Sequence, residues 1–590
     1  MMNPLRSVAK IAGTMMLRNE SQRIMVTLKS IENVVSGIIV FDTGSTDNTL
    51  EIVANWCEEQ KVPFHLKQGE FVDFSKSRNE LLDFADSVSQ EYNFFLLLDC
   101  NDELQSGDKF LEECVRFLPF RENAFMIRQK WLTGTYINKY LNTRLIKPKC
   151  GWRYKKRVHE YLGPSDGDTN INRPTISEDV ILFQNRNDDD DKTLKRFKRD
   201  KEFLLADVQQ FNDSRDMFYL AQTLSCLNEN DEAYNWYQKR AEIVEGFWEE
   251  RFHSYLRSAE IALVKQHDVD LAIVNYFKAA MIDFRAEPLI ALGKIYRDKQ
   301  DFVLAYTFLK AACELEFPSD NILFVSENDY TYERWQQLSV VAFYVGRYSE
   351  GLKALQIAQA TGKDLEFHQQ NLNFYKDKEG VKDTERFEAE DMPTEISEIH
   401  DEFLKEGTQA LQDQDTNTAI IKFLNAFQLS HRVSSLLMLS EYCRLVKAFK
   451  MSCCIVDLAC QLNAPSDITK DVRQDYSYTR WHLMGIVAFY ANKIQQGKNA
   501  CIKALREGIN ITLDKNNLLE YLKVEDSSVS SNSSKSEPKE LKDGKESKES
   551  LQKYKDRRVI EMMTANPKIS KRQAEARAKL EWKLNSSGKK

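Results

Sequence analysis

An acidic cluster, Asp99-Cys-Asn-Asp-Glu103, follows the apolar run Phe94–Leu98 and has the residue types best suited to bind a cation. Carboxylates crowded at the end of a buried strand are costly unless a positive charge compensates them. Oxygen ligands suit Mg²⁺ or Mn²⁺, which usually bridge a protein carboxylate to the phosphates of a substrate. The cluster therefore indicates a divalent-cation site for a diphosphate, and an exposed acidic turn is the alternative.

A second acidic residue, Asp42, lies within the segment Phe41-Asp-Thr-Gly-Ser-Thr-Asp-Asn-Thr49, at the end of another apolar run. The residues at 44–47 permit a tight turn and can cap the helix that is predicted to follow. A carboxylate at the end of a strand can accept hydrogen bonds from a base or a ribose. The same residues would also form an ordinary capped turn, so the local sequence leaves both interpretations open.

Two further polar pairs are candidates for chemistry. Arg78 and Asn79 stand in the first turns of a predicted helix, where they could contact the same ligand or simply be solvated. His159 and Glu160 are adjacent, so the imidazole could ligate a metal ion and the carboxylate could act as a general base. A His-Glu pair with a purely structural role is the alternative.

Short apolar runs and amphipathic segments alternate between about residues 10 and 160. The runs Ile11–Leu17, Gly37–Phe41 and Phe94–Leu98 predict buried strands, with helices between them. Strands that alternate with helices form a mostly parallel sheet whose binding crevice lies at the carboxyl ends of the strands. The predicted fold of this region is therefore α/β and Rossmann-like, with the chemistry in the loops that follow the strands.

Five segments, taken in order, resemble the motifs of family 2 glycosyltransferases. They are similar to the patterns M-x-V-K-N-E, V-D-T-G-S-T-D-x-T, F-S-x-A-R-N, L-D-A-D-D-E and G-x-V-H-E, and they occupy Met15–Glu20, Phe41–Thr49, Phe74–Asn79, Leu97–Leu104 and Lys156–Glu160. The resemblance is strongest to the subgroup that carries tetratricopeptide repeats behind the catalytic domain, of the sublancin-type S-glycosyltransferase kind. Five ordered motifs are far more specific than any one of them.

The resemblance implies a GT-A fold and a metal-assisted, inverting transfer of a sugar from a nucleotide-sugar, often linked to uridine diphosphate. The acceptor would be a protein, a peptide or a glycan. Glu160 would be the catalytic base. The residues implied in binding the nucleotide-sugar are Asn19, Glu20, Asp42, Arg78, Asn79 and Asp99, and those implied in binding Mn²⁺ or Mg²⁺ are Asn101, Asp102 and His159.

One residue departs from the family pattern. Asn101 occupies the third position of the D-x-D signature, where the family has a metal-binding aspartate. An amide oxygen can still ligate a cation and Asp102 is adjacent, but the loss of one negative charge weakens metal binding. Two other functions follow from this departure and from the acidic pair: a repeat-based scaffold with a degenerate transferase domain, and a nucleotidyltransferase on a similar sheet.

From about residue 198 to 520 the sequence predicts helices with small and aromatic residues at the offsets of tetratricopeptide repeats. Two of the clearer units contain Leu292, Gly293, Tyr296, Ala305 and Ala312, and Gly407, Ala419, Phe423 and Ala426. A longer duplication relates Asp329–Trp335 and the following Val-Ala-Phe-Tyr344 to Asp475–Trp481 and Val-Ala-Phe-Tyr490. We expect two related helical blocks that bind a protein or mediate homo-oligomerisation.

These patterns divide the chain into five predicted segments. They are a glycosyltransferase domain at 1–197, tetratricopeptide-like repeats at 198–375, a linker at 376–396, a second helical block at 397–523, and a disordered Ser/Lys/Glu-rich tail with a basic end at 524–590. The tail has too few large apolar residues to offset the entropy lost on ordering.

Composition excludes several classes of function. A net charge of −8 over 590 residues argues against a nucleic-acid-binding platform. The eleven cysteines are scattered without any C-x-x-C pair, which is typical of reduced thiols rather than of zinc or redox sites. The sequence shows no signal peptide and no apolar run near the ~20 residues of a membrane-spanning helix, so we expect a cytoplasmic protein without a transmembrane segment.

Overall fold

The structure is a computed structural model that describes residues 4–133, 136–165, 172–186, 192–321, 323–389 and 391–530. These residues form two compact units. The first contains the chain up to residue 254 together with 316–328, and the second contains 255–315 and the described residues from 329 onward. The predicted tail from residue 524 begins inside a helix that ends at Ser530, and its remainder lies outside the described residues.

The strands described in the first unit form one large mixed sheet and a separate hairpin. They are β1 (Ile11–Leu17), β2 (Gly37–Asp42), β3 (Phe64–Gln68), β4 (Phe94–Leu98), β5 (Glu103–Gln105), β6 (Ala124–Thr133), β7 (Tyr136–Ile146), β8 (Trp152–Lys155), β9 (Tyr161–Pro164), β10 (Ile181–Asn185) and β11 (Val325–Ser326). The order in the large sheet is β3-β2-β1-β4-β7-β6-β10-β5, with β11 beside β7, while β8 pairs with β9. The first four strands in this order are parallel to one another.

Helices cover both faces of the parallel part of the sheet. The helices up to residue 242 are α1 (Leu5–Val8), α2 (Ile24–Ser30), α3 (Thr49–Gln60), α4 (Phe74–Ser87), α5 (Gly107–Phe117), α6 (Lys192–Phe211), α7 (Ser214–Cys226) and α8 (Asn230–Glu242). Alternate residues of β2 enter two different apolar cores, because successive side chains of a strand point to opposite faces. Ile38 and Val40 belong to one core, and Ile39 and Phe41 belong to the other. The α/β prediction is therefore confirmed.

The remaining described chain is almost entirely helical. Its helices are α9 (Trp248–Val264), α10 (Val269–Ile282), α11 (Ala286–Asp298), α12 (Phe302–Cys313), α13 (Arg334–Tyr344), α14 (Tyr348–Gln359), α15 (Leu365–Lys376), α16 (Thr394–Gln412), α17 (Thr416–Ser430), α18 (Val433–Leu445), α19 (Phe449–Gln461), α20 (Lys470–Gln474), α21 (Arg480–Tyr490), α22 (Ile494–Glu507) and α23 (Ile511–Ser530). None of the helices in the described ranges combines the length and apolar character that crossing a bilayer requires.

Small residues let consecutive helices approach closely, as the repeat pattern predicts. A Cβ added at Gly293 of α11 would lie 2.5 Å from a side-chain atom of Leu309 in α12. A Cβ added at Gly407 of α16 would lie 2.7 Å from the ring of Phe423 in α17. The tetratricopeptide-like helical array is therefore confirmed.

The predicted duplication extends to the hydrogen bonds that join the helices. Arg334 donates from Nη1 to the carbonyl oxygen of Ala312 (3.0 Å), and Arg480, 146 positions later, donates from Nη1 to that of Ala459 (2.9 Å). Each arginine directly follows a π-helical turn, Asp329–Glu333 in the first block and Asp475–Thr479 in the second. The two blocks thus share a framework as well as a sequence motif.

A tyrosine and a glycine repeat at the same interval. Tyr375 donates its hydroxyl hydrogen to the carbonyl oxygen of Ser339, and Tyr521 donates to that of Gly485 at 3.0 Å. Each tyrosine ring lies against a helical glycine, which is Gly351 in the first block and Gly497 in the second. Because these tyrosines are buried, each packs its ring and satisfies its hydroxyl at one place.

We predict that Gly351→Ala and Gly497→Ala destabilise the protein to a similar degree. The added Cβ would lie 2.0 Å from a tyrosine hydroxyl oxygen in both cases, and such overpacking costs about 1–3 kcal/mol of unfolding free energy. Urea unfolding measures the loss. Lys353→Ala, on the exposed side of the same helix as Gly351, serves as the control and should leave the midpoint unchanged. An unchanged midpoint for both glycine variants would contradict the packing described.

Candidate functional site

The parallel strands end together, so the residues that follow them lie at one edge of the sheet. Leu17 of β1 is in register with Asp42 of β2, and Met15 of β1 is in register with Leu98 of β4. The turns after β1, β2 and β4 therefore meet at the carboxyl end of the sheet. These turns contain most of the residues that the sequence singles out.

Asp42 is almost fully buried at this edge and is fixed by its own turn. Its carboxylate accepts a hydrogen bond from the backbone N–H of Ser45 (3.1 Å) and a longer one from Nε2 of Gln68 (3.4 Å). Gly44, which lies between Asp42 and Ser45 in the chain, has φ +100°, a backbone conformation that favours glycine. The predicted tight turn is thus present, and the carboxylate is presented beside the end of β3.

Asn19 and Glu20 lock the turn after β1 onto the turn after β2. Oδ1 of Asn19 accepts from the N–H of Thr46 at 2.7 Å, and Asn19 has a left-handed backbone with φ 55°. The backbone N–H of Glu20 donates to Oγ1 of Thr49 at 2.7 Å. The described contacts of these two residues therefore organise the edge of the site.

Asp99, directly after β4, is clamped between two arginines. Its Oδ1 is 2.7 Å from Nη2 of Arg78 in α4, and its Oδ2 is 2.7 Å from Nη2 of Arg144 in β7. Burial alone would raise the pKa of Asp99, but the two guanidinium groups hold it well below its ordinary value. Asp99 is therefore ionised at neutral pH, and both of its oxygens are already paired with positive charge.

Asp102 holds the backbone of Asp99 in place through a buried hydrogen bond. Its side chain is inaccessible to solvent, with Oδ2 accepting from the backbone N–H of Asp99 (2.8 Å) and Oδ1 accepting from Nε2 of Gln184 in β10 (2.6 Å). Burial raises the pKa of Asp102 to about 6, although Arg144 acts in the opposite direction. In this arrangement the carboxylate holds the turn together and has no accessible oxygen for a ligand.

Glu160 reaches the same edge through Arg78. Its Oε1 is 2.8 Å from Nε of Arg78, so that one arginine joins Glu160 to Asp99. Burial raises the pKa of Glu160, while the charge of Arg78 lowers it. A partly buried carboxylate with a raised pKa has the properties of a general base.

Asn79 has a positioning role in this structure. Its Nδ2 donates to the carbonyl oxygen of Tyr154 (2.9 Å), and its Oδ1 accepts from the backbone N–H of the same residue (2.7 Å). The amide therefore fixes α4 to β8, the strand that leads into the loop with Glu160. Both polar atoms of the Asn79 side chain, which the sequence predicts to contact a ligand, are therefore bonded to the backbone of Tyr154.

His159 lies among aromatic and cationic side chains. Its ring stacks on Tyr219 of α7, with centroids 4.0 Å apart, and its carbonyl oxygen accepts from Nη2 of Arg215 (3.2 Å). Burial, followed by the charges of Arg215, Arg196 and Arg186, lowers the pKa of His159 to about 3. The imidazole is therefore neutral at physiological pH. The backbone of His159 is left-handed (φ 49°), which is a strained conformation often found at functional sites.

The residues predicted to bind a divalent cation do not fit such an ion in this arrangement. Both oxygens of Asp102 accept hydrogen bonds in the protein interior, and His159 is surrounded by positive charge. Asn101, in the turn between Asp99 and Asp102, supplies at most one neutral oxygen. Within the described ranges, no group of three or more His, Cys, Asp and Glu side chains could hold a metal ion.

Sequence reasoning missed the residues that the antiparallel half of the sheet contributes. Arg144 comes from β7, and Gln184 comes from β10. The available signal was weak, because β7 has several polar residues besides Arg144, whereas Gln184 does stand within the short and mostly apolar strand β10. Arg144 and Gln184 are both buried. Tyr219 and Arg215 were missed because they belong to a helix beyond the five motifs.

We predict that Asp102→Ala destabilises the protein. Truncation would leave the N–H of Asp99 and the amide of Gln184 without their acceptor, and each buried unsatisfied donor costs about 1–3 kcal/mol of unfolding free energy. Urea unfolding measures the difference. Glu112→Ala is the control, because the Glu112–Lys109 ion pair is exposed and worth about 0–1 kcal/mol. Equal unfolding midpoints for the two variants would refute the supporting role of Asp102.

Comparison with known proteins finds a family model that matches one part of the chain. The model described as Glycosyl transferase family 2 matches residues 15–164, which are 150 of the 590 residues. No curated protein matches the chain.

Several solved structures align with the chain at low similarity. Staphylococcus aureus TarS is 13% identical over 47% of this chain and 53% of its own, with a TM-score of 0.21. Residues 1–349 of TarS in complex with UDP are 13% identical over 54% of this chain and 96% of that chain, with a TM-score of 0.22. A TPR domain structure is 11% identical over 64% of this chain and 99% of that chain, with a TM-score of 0.18. The chain thus spans about half the length of full TarS.

The matched segment includes the end of β1, the whole of β2 to β9 and all five sequence motifs, whereas Gln184 of β10, which contacts Asp102, lies outside it. The helical array follows it in the chain. Residues 15–164 of the chain thus match the Glycosyl transferase family 2 model, and a tetratricopeptide-like helical array follows them.

Proposed function

We propose that this protein is a glycosyltransferase that moves a sugar from a nucleotide-sugar donor, with a uridine diphosphate leaving group, to a protein, peptide or glycan acceptor. One observation carries the proposal. Arg78, Asp99 and Glu160 come from three separate motifs, and they form one chain of ion pairs at the carboxyl end of the sheet. The family 2 match over residues 15–164 supports the same reaction class.

Asp42 is proposed to recognise the nucleobase. Its hydrogen bond with Gln68 is long, at 3.4 Å, so an N–H of a base could replace the Gln68 amide at little cost. The shorter bond from the N–H of Ser45 would keep the carboxylate in place meanwhile. In a uridine nucleotide, the ring N–H of uracil could donate this hydrogen bond to the carboxylate. Asn19 and Glu20 would shape this part of the pocket through the turns they join.

Glu160 is proposed to act as the catalytic base in a single displacement with inversion. The carboxylate would take the proton of the acceptor group as that group attacks the anomeric carbon. The bond between the anomeric carbon and the β-phosphate oxygen breaks, and its electron pair leaves with the diphosphate. Since the predicted Mg²⁺ or Mn²⁺ does not fit the arrangement of Asn101, Asp102 and His159, the proposed steps use the side chains of the protein alone.

The helical array is proposed to bind a protein acceptor or a second copy of the chain, since stacked helix pairs offer an extended surface for such partners. The kinship to sublancin-type S-glycosyltransferases, and with it a thiol acceptor, belongs to the same proposal. A cytoplasmic location fits the eleven cysteines, none of which forms a disulfide in the structure. A scaffold with a degenerate transferase domain is the competing function, and the absence of donor binding would favour it.

We predict that UDP raises the melting temperature of the protein, because a ligand at about 100 times its Kd stabilises the folded state by about 2.7 kcal/mol. Asp99→Ala should abolish this shift, and Asp42→Asn should reduce the preference for UDP over other nucleoside diphosphates. Differential scanning fluorimetry with a nucleotide panel measures both effects. Asp83→Ala, an exposed carboxylate of α4, is the control. If no nucleotide shifts the wild-type melting temperature, the result contradicts the proposed function and favours the competing scaffold.

We also predict a pH dependence that reports Glu160. The base must be ionised, so kcat should fall as the pH falls through its pKa, which burial places above the ordinary value. Arg78→Gln removes the charge that lowers this pKa, so the acid limb of the kcat profile should move to higher pH. Glu160→Gln should lose about 10²–10⁴-fold in kcat.

Arg153→Gln is the control for this experiment, because Arg153 pairs with Asp83 and Asp86 away from Glu160. Its acid limb should coincide with that of the wild type. An acid limb that stays in place, or moves to lower pH, in Arg78→Gln would exclude Glu160 as the base.

A further inference from the structure

A second strand end delivers a positive charge to the edge where Asp99 lies. β10 is parallel to β6, β6 is antiparallel to β7, and β7 is antiparallel to β4. β10 therefore runs in the same direction as β4, and the residues that follow the two strands lie at the same edge of the sheet. Arg186 directly follows β10, as Asp99 directly follows β4.

Arg186 is held in place by neutral partners. Its guanidinium group stacks on the indole of Trp131, 3.2 Å from the ring centroid. Its Nε and Nη2 donate to Oε1 of Gln184 at 3.1 and 2.9 Å, and the amide nitrogen of the same Gln184 donates to Asp102. The side chain is thus oriented before any ligand arrives and is connected to the turn that carries Asp99.

Arg186 forms no direct ion pair with a carboxylate in the described part of the chain. Burial lowers the pKa of Arg186, although the charges of Asp99 and Asp102 act on it at longer range and raise it. Arg196 of α6 lies over the ring of Phe197 and likewise forms no direct ion pair among the described residues, while Asp200 interacts with it at longer range. Both side chains are exposed. By contrast, Arg78 and Arg144 are already paired with Asp99. The edge of the sheet therefore has the guanidinium group of Arg186, which is free of a direct ion pair in the described structure, and Arg196 is near enough to lower the pKa of Arg186. The acid beside them, Asp99, is already paired on both of its oxygens.

Such an environment suits an anion better than a divalent cation. The five N–H donors of a guanidinium group form a planar fork that binds phosphate oxygens in pairs. A divalent cation at the same place would be repelled by the positive charges of Arg186 and Arg196. At the third position of the D-x-D signature it would find only the neutral amide of Asn101 as a ligand. The departure of Asn101 from the family pattern and the presence of Arg186 are thus consistent with each other.

We infer that Arg186, assisted by Arg196, binds the diphosphate of the nucleotide-sugar donor directly, in the role that a divalent cation would otherwise have. The inference rests on the proposed function. As the bond between the anomeric carbon and the phosphate oxygen breaks, its electron pair moves to that oxygen and the two guanidinium groups stabilise the added negative charge. The new bond forms between the anomeric carbon and the acceptor atom, whose proton passes to Glu160.

Isothermal titration calorimetry of the full chain with UDP and with uridine, in EDTA and in Mn²⁺, tests the inference. UDP should bind with the same Kd, within twofold, in both buffers. Arg186→Gln should weaken UDP binding at least tenfold and leave uridine binding unchanged, because uridine has no phosphate. Arg196→Gln should weaken UDP binding by a smaller factor, and Arg186→Lys should restore only part of the loss, since an ammonium group lacks the bidentate fork.

Arg116→Gln, an exposed arginine of α5, is the matched control and should bind UDP as the wild type does. Arg196 is exposed on its helix, so its variant keeps the test valid even if Arg186→Gln disturbs Gln184. UDP binding that requires Mn²⁺, or UDP affinity unchanged in both arginine variants, would overturn the inference and leave the proposed function intact. Failure of every nucleoside diphosphate to bind in either buffer would instead overturn the proposed function itself.

Discussion

Burial of several carboxylates at one edge of the sheet is the constraint that the rest of the first unit satisfies. An ionised carboxylate in a poorly solvated place is strongly destabilising unless charged partners and hydrogen bonds surround it. Asp99 meets this requirement through one arginine from a helix and one from the antiparallel half of the sheet. The two halves of the sheet are consequently tied together by charge at the point where a ligand would bind.

The same requirement explains the loop that contains Glu160. Lys156 pairs with Asp213 (3.0 Å) and Asp216 (2.8 Å), and Arg157 pairs with Asp207. These acids lie in or beside α6 and α7, so ion pairs fasten the loop to helices that follow the matched family domain in the chain. The first compact unit accordingly extends to residue 254, and the segment boundaries predicted from composition stay predictions.

The parts of the fold and of the candidate site that could be predicted were those marked by short, local patterns in the sequence. The strands β1, β2 and β4 were visible as apolar runs because both of their faces are buried, and their loops held the site residues for the same topological reason. The partnership of Arg144 with Asp99 joins residues 45 positions apart across an antiparallel pairing that no periodicity specifies. Asn79 illustrates the other limit, because its family motif indicated a ligand contact while its amide binds the backbone of Tyr154.

The two helical blocks share their arginine-to-backbone hydrogen bonds but differ in the polar contacts beside them. Arg334 and Arg480 make the same bonds to the backbone, but the polar trio beside them is built differently: Tyr332 contacts Asp364 and His368, whereas Tyr478 contacts Asp514, which His482 also contacts. The histidine comes from α15 in the first block and from α21 in the second. The same three kinds of functional group therefore occupy different positions in the two blocks, and the shared framework accommodates a different local network in each.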